Sequence, residues 1–311
     1  MSKWTQQDMP DLTGKVLIVT GANSGLGFES TKALAEHGAT VVMAVRNMEK
    51  GEKARADILK EVPNAKLDLM KLDNADLSSV QAFAAAFREK YDRLDILLNN
   101  AGVMAIPRQE TADGFEMQFG VNHLAHFALT GLLLDVLTKT PGARVHSVSS
   151  SAAFNAQINF DDLMGEEDYS RWGAYGQSKL ANAMFATELN RQLKTAGYDT
   201  IANSSHPGFV MGNLQTNSLE QSGAPLMERV LYGLGETIVG QDISMGVLPQ
   251  LYASTAPDAK GGVFYGPKTF RVRGYPAEQP CNDALNNPAL LKRLWDVSEE
   301  LTKVKYDFKK A

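Results

Sequence analysis

The 311 residues are 44% hydrophobic and 22% charged, enough apolar side chain for a packed core, which excludes gross disorder. A formal net charge of −5 excludes a nucleic acid or an anionic membrane surface as the main partner. The single cysteine, Cys281, has no internal partner, so folding does not depend on an oxidising compartment.

The opening MSKWTQQDMPDL lacks a basic region followed by an apolar run and does not read as a secretory signal. Residues 1–14 read as an N-terminal extension. KVLIVT (15–20) is a short apolar run ended by glycine, as in a buried strand. Leu26, Ser30, Ala33, Leu34 and His37 follow at helical spacing, and Gly38 stops the helix. TVVMAV (40–45) is a second strand, and MEKGEKARADILKEV a charged helix closed by Pro63. AKLDLMKLD is a third strand; the helix after it opens at Asp76 or Ser78. LDILLNN is a fourth strand, and a long helix is predicted over 113–139, ending before Pro141. ARVHSVSS is a fifth strand, 174–195 a second long helix with a Gly197 stop, TIANSSHPG a sixth strand and turn, and GGVFYGP a seventh.

This alternation predicts one α/β domain over 1–311, a Rossmann-type doubly wound, mostly parallel seven-stranded sheet with helices on both faces. Its ligand crevice would lie beyond the carboxyl ends of the strands. The most apolar helix is interrupted by His123, His126 and Asp135, so no membrane span is expected and a cytoplasmic protein is the default. Residues 212–245 break the rhythm. They are either a substrate lid or a helical insertion packed on the body, and their place just after the sixth strand favours the lid.

The first strand–helix turn reads TGANSGLG, with Gly21, Gly25 and Gly27 spaced G-x-x-x-G-x-G. Glycine there permits positive φ and lets Asn23, Ser24, Leu26 and the helix amides approach a pyrophosphate; a tight turn without ligand is the plain alternative. At the second strand's end, where NAD-selective folds place an acid, stand Val45, Arg46 and Asn47. A guanidinium suits a 2′-phosphate, which points to NADP(H) over NAD(H), unless Arg46 is a solvated loop residue. Asp73, between Leu72 and Asn74, either accepts from an adenine amino group or caps the next helix. Asn100, Ala101 and Gly102 either line a cofactor floor or make a turn.

Tyr175 and Lys179, spaced i and i+4, share a helix face. They are either a surface pair or a proton-transfer device in which the ammonium, and a nicotinium when the cofactor is oxidised, lower the phenol's pKa. The fifth strand ends in three serines, 149–151, one of which would hydrogen-bond a substrate oxygen. Asn122 either faces solvent or bends its helix and holds a water. His123 and His126 lack companion ligands and read as packing or surface residues, so no metal is expected.

TGANSGLG, NNAG, VSSS, YGQSK and HPG, in that order, resemble the short-chain dehydrogenase/reductase family. The resemblance implies a catalytic set of Asn122, Ser150, Tyr175 and Lys179, the choice of Ser150 resting on the alignment of VSS. It implies that Pro207, Gly208 and Val210 contact the cofactor. GFEMQFGVNHLAHF, YGQSKLANAMF and the long Ser150–Tyr175 gap are similar to the retinol-dehydrogenase-like and protochlorophyllide-reductase-like branch, which mostly uses NADP(H). The implied activity is hydride transfer between NADPH and a carbonyl or alcohol substrate. A C=C reductase and a non-catalytic NADP-binding regulator are the alternatives. Phe154, Phe209, Met211, Leu214 and Met227 are candidate substrate-pocket residues. Gly212 stands where the family usually has a threonine. The two long helices are a candidate homo-oligomer interface.

Overall fold

The computed structural model describes residues 3–210 and 240–308. Eight strands form one sheet in the order β3-β2-β1-β4-β5-β6-β7-β8. They are β1 (Val16–Thr20), β2 (Thr40–Val45), β3 (Lys66–Lys71), β4 (Ile96–Asn99), β5 (Arg144–Val148), β6 (Ile201–Ser205), β7 (Phe264–Thr269) and β8 (Arg273–Glu278). All pair in parallel except β7 with β8. From β1 the chain first winds toward β3 and then returns through β4 to β8. The reversal opens a crevice at the carboxyl ends of β1 and β4.

Every residue of β1 and β4 is buried, because helices cover both faces. Successive side chains alternate between two cores. Ile18, Val42 and Leu97 pack with Phe87, Phe127 and Phe185 on one face. Leu17, Val41 and Leu98 pack with Leu34, Ile58 and Leu251 on the other. The helices of the first face are α3 (Leu77–Lys90), α5 (Ala125–Leu132) and α7 (Arg171–Thr195); those of the second include α1 (Gly25–Glu36) and α2 (Met48–Glu61). Trp4, Met9 and Leu12 of the N-terminal extension are buried in the second core, Trp4 edge-on against Tyr252 with centroids 5.3 Å apart.

Two expectations need correction. The sheet has an eighth strand, RGYPAE, whose glycine and proline hide it from a strand pattern; Pro276 is tolerated because β8 is an edge. The helix predicted over 113–139 begins only at Met117. It comprises α4 (Met117–Phe119), a π turn (Gly120–Leu124), α5 and α6 (Leu134–Lys139). Asp113 instead accepts from Leu77 N at 2.9 Å.

A C-terminal helix, Pro288–Thr302, capped by Asn287, lies on α5 and α7. Trp295 meets Phe127 and Phe185 with centroids 5.1 and 5.9 Å away, and the Tyr306 hydroxyl donates to Phe127 O at 2.6 Å. Trp295→Ala is therefore expected to destabilise the fold by about 3–5 kcal/mol, read as a lowered urea midpoint. Among the described residues no helix is long and apolar enough to cross a membrane.

Candidate active site

The carboxyl ends of β1, β2, β4, β5 and β6 meet at a cavity of about 670 Å³. Its floor begins with the glycine loop. Gly21 and Gly25 have φ of +69° and +56°, a left-handed backbone that glycine adopts without strain. A Cβ on Gly27 would collide with the Gly21 carbonyl and lie 2.7 Å from Asn100 Nδ2. Ser24 precedes α1 but its side chain makes no cap bond. The first amides of α1 are thus left for an anion.

The loop is fastened to β4 by one threonine. Thr20 Oγ1 accepts from Asn100 N and Ala101 N, both at 2.9 Å, and Asn100 Nδ2 donates to Thr20 O at 2.8 Å. The same hydroxyl lies 2.9 Å from His126 Nε2. Burial pushes His126 down to about 4, so its ring is neutral. Nδ1–H donates to Asn122 O at 2.9 Å, and Nε2 accepts from Asn74 Nδ2 at 3.0 Å. His126 thus ties Asn74, Thr20 and Asn122 together. A histidine inside an apolar helix carries no sign of this in the sequence. His123 is also buried, 2.9 Å from Ser298 Oγ. No cluster of metal-ligating side chains occurs among the described residues.

Most sequence-predicted cofactor residues line the cavity: Gly21, Asn23, Ser24, Gly25, Leu26, Gly27, Arg46, Leu72, Asp73, Asn74, Asn100, Ala101, Gly102, Tyr175, Lys179, Pro207, Gly208 and Val210. Arg46 is exposed at the end of β2 and its side chain makes no hydrogen bond or ion pair among the described residues. Asp73 is not the helix cap. Its Oδ1 accepts from Ala75 N at 3.0 Å, whereas Asp76 caps α3. Asn47 does not line the cavity, because its side chain caps α2 by accepting from Lys50 N at 2.9 Å.

Tyr175 is 4% exposed on α7. Burial pushes its phenol up to about 12, opposed by a hydrogen bond from Ser150. Burial pushes Lys179 down to about 8. Its Nζ donates to Val148 O at 3.2 Å and lies 5.8 Å from the Tyr175 ring centroid. Without a nicotinium nearby, desolvation of the phenol outweighs the Ser150 bond.

The three serines separate cleanly. Ser149 donates to Lys179 O at 2.6 Å and is spent on holding α7. Ser151 is exposed. Ser150 is the hydroxyl engaged with Tyr175.

Asn122 sits in the π turn, an insertion that recurs at functional sites. It does not line the cavity. Its Oδ1 accepts from Val103 N at 2.8 Å, and Nδ2 donates to Val103 O and Ser178 Oγ, both at 2.9 Å. A Cβ on Gly102 would lie 2.9 Å from Asn122 Oδ1 and 3.3 Å from Lys179 Nζ. With both amide hydrogens and its carbonyl engaged, Asn122 braces this strand end.

Of the substrate-pocket candidates, Ser150, Tyr175 and Phe209 line the cavity. Phe154 does not; it packs edge-on against His206, centroids 5.1 Å apart, with Arg271 5.2 Å from its ring. Met211, Leu214 and Met227, with Gly212 and most of the expected lid, lie outside the described residues. The apolar wall comes from residues not singled out in the sequence: Met104, Ile106, Met117, Val121 and Trp172. Trp172, 38% exposed, stands edge-on to Tyr175 with centroids 5.9 Å apart. Ala105, beside Met104, has φ of +47° and is held by Gln118 Oε1, 2.7 Å from its amide. Such strain persists only where the surroundings impose it.

The model of the family described as short chain dehydrogenase matches residues 15–223. Retinol dehydrogenase 12 of Mus musculus is 38% identical over 299 residues, covering 95% of this chain and 89% of that protein. Retinol dehydrogenase 11 of Homo sapiens is 47% identical over 207 residues, covering 67% of this chain and 64% of that protein. A solved structure of an uncharacterized protein from Mycobacterium paratuberculosis has a TM-score of 0.80 and 38% identity, covering 98% of this chain and 100% of that one.

Proposed function

The chain belongs to the short-chain dehydrogenase family, in its retinol-dehydrogenase-like branch, and on that premise we propose that it interconverts aldehydes or ketones and their alcohols with NADP(H). One observation carries this reading. The buried Tyr175 phenol, engaged with Ser150 and one helical turn from Lys179, shares a cavity with the glycine loop.

The chain's residues fit a phosphorylated dinucleotide. A side chain on Gly27 would fill the loop, the α1 amides have no side-chain cap, and Arg46 presents an unpaired guanidinium among the described residues. Such a group favours a 2′-phosphate, which a carboxylate at that point would repel. When bound, the dihydronicotinamide supplies the hydride for the carbonyl carbon. Ser150 steadies the substrate oxygen as charge gathers there, and Tyr175 gives it a proton. A phenol held near 12 is fully protonated at neutral pH, as an acid must be. Lys179 places a positive charge beneath it, and Ser149 and Asn122 keep that end of α7 and the Gly102–Val103 strand end in place. Met104, Ile106, Met117 and Trp172 would take the apolar body of the substrate and exclude water.

A panel of aldehydes, ketones and enones with NADPH, followed at the nicotinamide absorbance, tests the reading. Turnover of a carbonyl is expected, with the C=C bond of the enone untouched. Lack of turnover across the panel overturns it. Arg46→Asp is expected to lower kcat/KM for NADPH by about 10–100-fold, the range for a lost charge-assisted hydrogen bond, and to leave NADH use unchanged or improved. Equal effects on both cofactors would reject Arg46 as the 2′-phosphate partner.

A further inference from the structure

Pro207, Gly208, Phe209 and Val210 line the cavity as irregular chain leaving β6. Irregular backbone holds its shape only through bonds made from outside, and here two of those bonds come from one residue, Gln241, one through its side chain and one through its backbone. Gln241 Nε2 donates to Pro207 O at 2.7 Å, and Gln241 N donates to Phe209 O at 2.9 Å. Gln241 Oε1 accepts from Gly274 N at 2.9 Å. Val210 pairs with Gln241 in an isolated parallel bridge. Gln241 is 8% exposed, so removing its side-chain amide would take this partner from Pro207 O and Gly274 N in a buried place.

The far anchor of this clamp is the β7–β8 hairpin. Phe209 N donates to Val272 O at 2.9 Å, and Gly208, with φ of +75°, lies so near that a Cβ would strike the same carbonyl. His206 completes the fastening. Its Nδ1 accepts from Gly208 N at 3.2 Å, so its proton sits on Nε2, 3.0 Å from Gln279 Oε1. Gln241, Val272, Gly274 and Gln279 all lie beyond residues 15–223, the stretch matched by the family model. The clamp is thus an addition to the part of the chain that the family model describes.

Position in the sheet says which end of a dinucleotide this wall would touch. β6 adjoins β5, which carries Ser150 just past its end, and Ser149 N donates to Ser205 O at 2.7 Å. β2, which carries Arg46, is four strands away, ~19 Å at the usual strand spacing. We infer that Gln241 is a positioning residue that sets the 207–210 wall against the hairpin and thereby seats the nicotinamide end of the cofactor, independently of the adenosine end. The inference rests on the NADP(H) reading above.

The test compares two probes on wild type, Gln241→Leu and the near-isosteric Gln241→Glu. NADPH reports both ends of the site, and adenosine 2′,5′-bisphosphate reports only the Arg46 end. Both substitutions remove the donor to Pro207 O. Each variant is expected to weaken NADPH binding or lower kcat by about 10-fold, the scale of one buried hydrogen bond left unmade, with the bisphosphate dissociation constant unchanged. A loss that falls equally on both probes would mean general loosening and would overturn the inference. So would variants with unchanged NADPH affinity and kcat. A wild-type chain that binds neither nucleotide would instead overturn the cofactor reading on which the inference stands.

Discussion

Tyr175→Phe is expected to lower kcat for carbonyl reduction by about 10²–10⁴-fold, the usual contribution of a positioned general acid, while the NADPH dissociation constant stays within about 2-fold. The substitution removes one oxygen from a side chain that is 4% exposed. The ring keeps its contacts with Trp172, Met104 and Ala105, so the cavity should retain its shape. What disappears is the proton that must reach the substrate oxygen as hydride arrives at carbon. Water would be a poor replacement once a substrate filled the cavity and excluded it. Ser150→Ala should also lower kcat, by less, since the phenol would still deliver its proton. Measuring kcat by stopped-flow at saturating NADPH, with cofactor affinity by fluorescence, separates chemistry from binding. Retention of wild-type kcat in Tyr175→Phe would reject Tyr175 as the donor.

How much of this was legible in the sequence depends on whether a feature has a local cause. The central strands were readable because a parallel sheet covered on both faces demands continuous apolar runs such as VLIVT. The glycine loop was readable because positive φ at Gly21 and Gly25 restricts residue type. β8 was not, since RGYPAE forms by adding to an existing edge rather than by its own preference. The π turn at Asn122 was equally hidden. The apolar pattern of 113–139 runs across it, and the bonds that hold Asn122 there are tertiary, the pair to Val103. Asn47 and Asp73 show the limit at residue level. Both follow strand ends and both are short polar side chains, yet a helix beginning one residue later claims the first, while Asp76 relieves the second of that task. The C-terminal helix is a different case: Asn287 followed by Pro288 is a readable start signal, whereas its packing over Phe127 and Phe185 is set by tertiary contacts.

Lys179→Met should separate function from stability most sharply. Burial holds the wild-type ammonium down at about 8 and the phenol up at about 12. Between pH 6 and 10 the only one of the two that titrates is therefore Lys179. Because kcat/KM for NADPH reports ionisations of the free enzyme, it should fall as pH rises through about 8 and the charge beneath the cofactor site is lost. In Lys179→Met that descending limb should vanish, with kcat lowered by about 10²-fold at pH 7. Stability should move the other way. The folded pKa lies below the unfolded value of 10.5, so the unfolded chain binds more protons between those two values. Lys179's contribution to stability is then full above pH 10.5 and is lost as pH falls through about 8. At neutral pH the native state carries a buried ammonium whose hydrogen bond to Val148 O, at 3.2 Å, offsets little of its desolvation. Methionine keeps the aliphatic stem without that charge. The variant should thus melt no lower than wild type at pH 7, and its Tm should lose the rise that wild type shows above pH 8. A variant that is both inactive and markedly less stable at pH 7 would mean that the ammonium holds the fold together rather than serving the reaction.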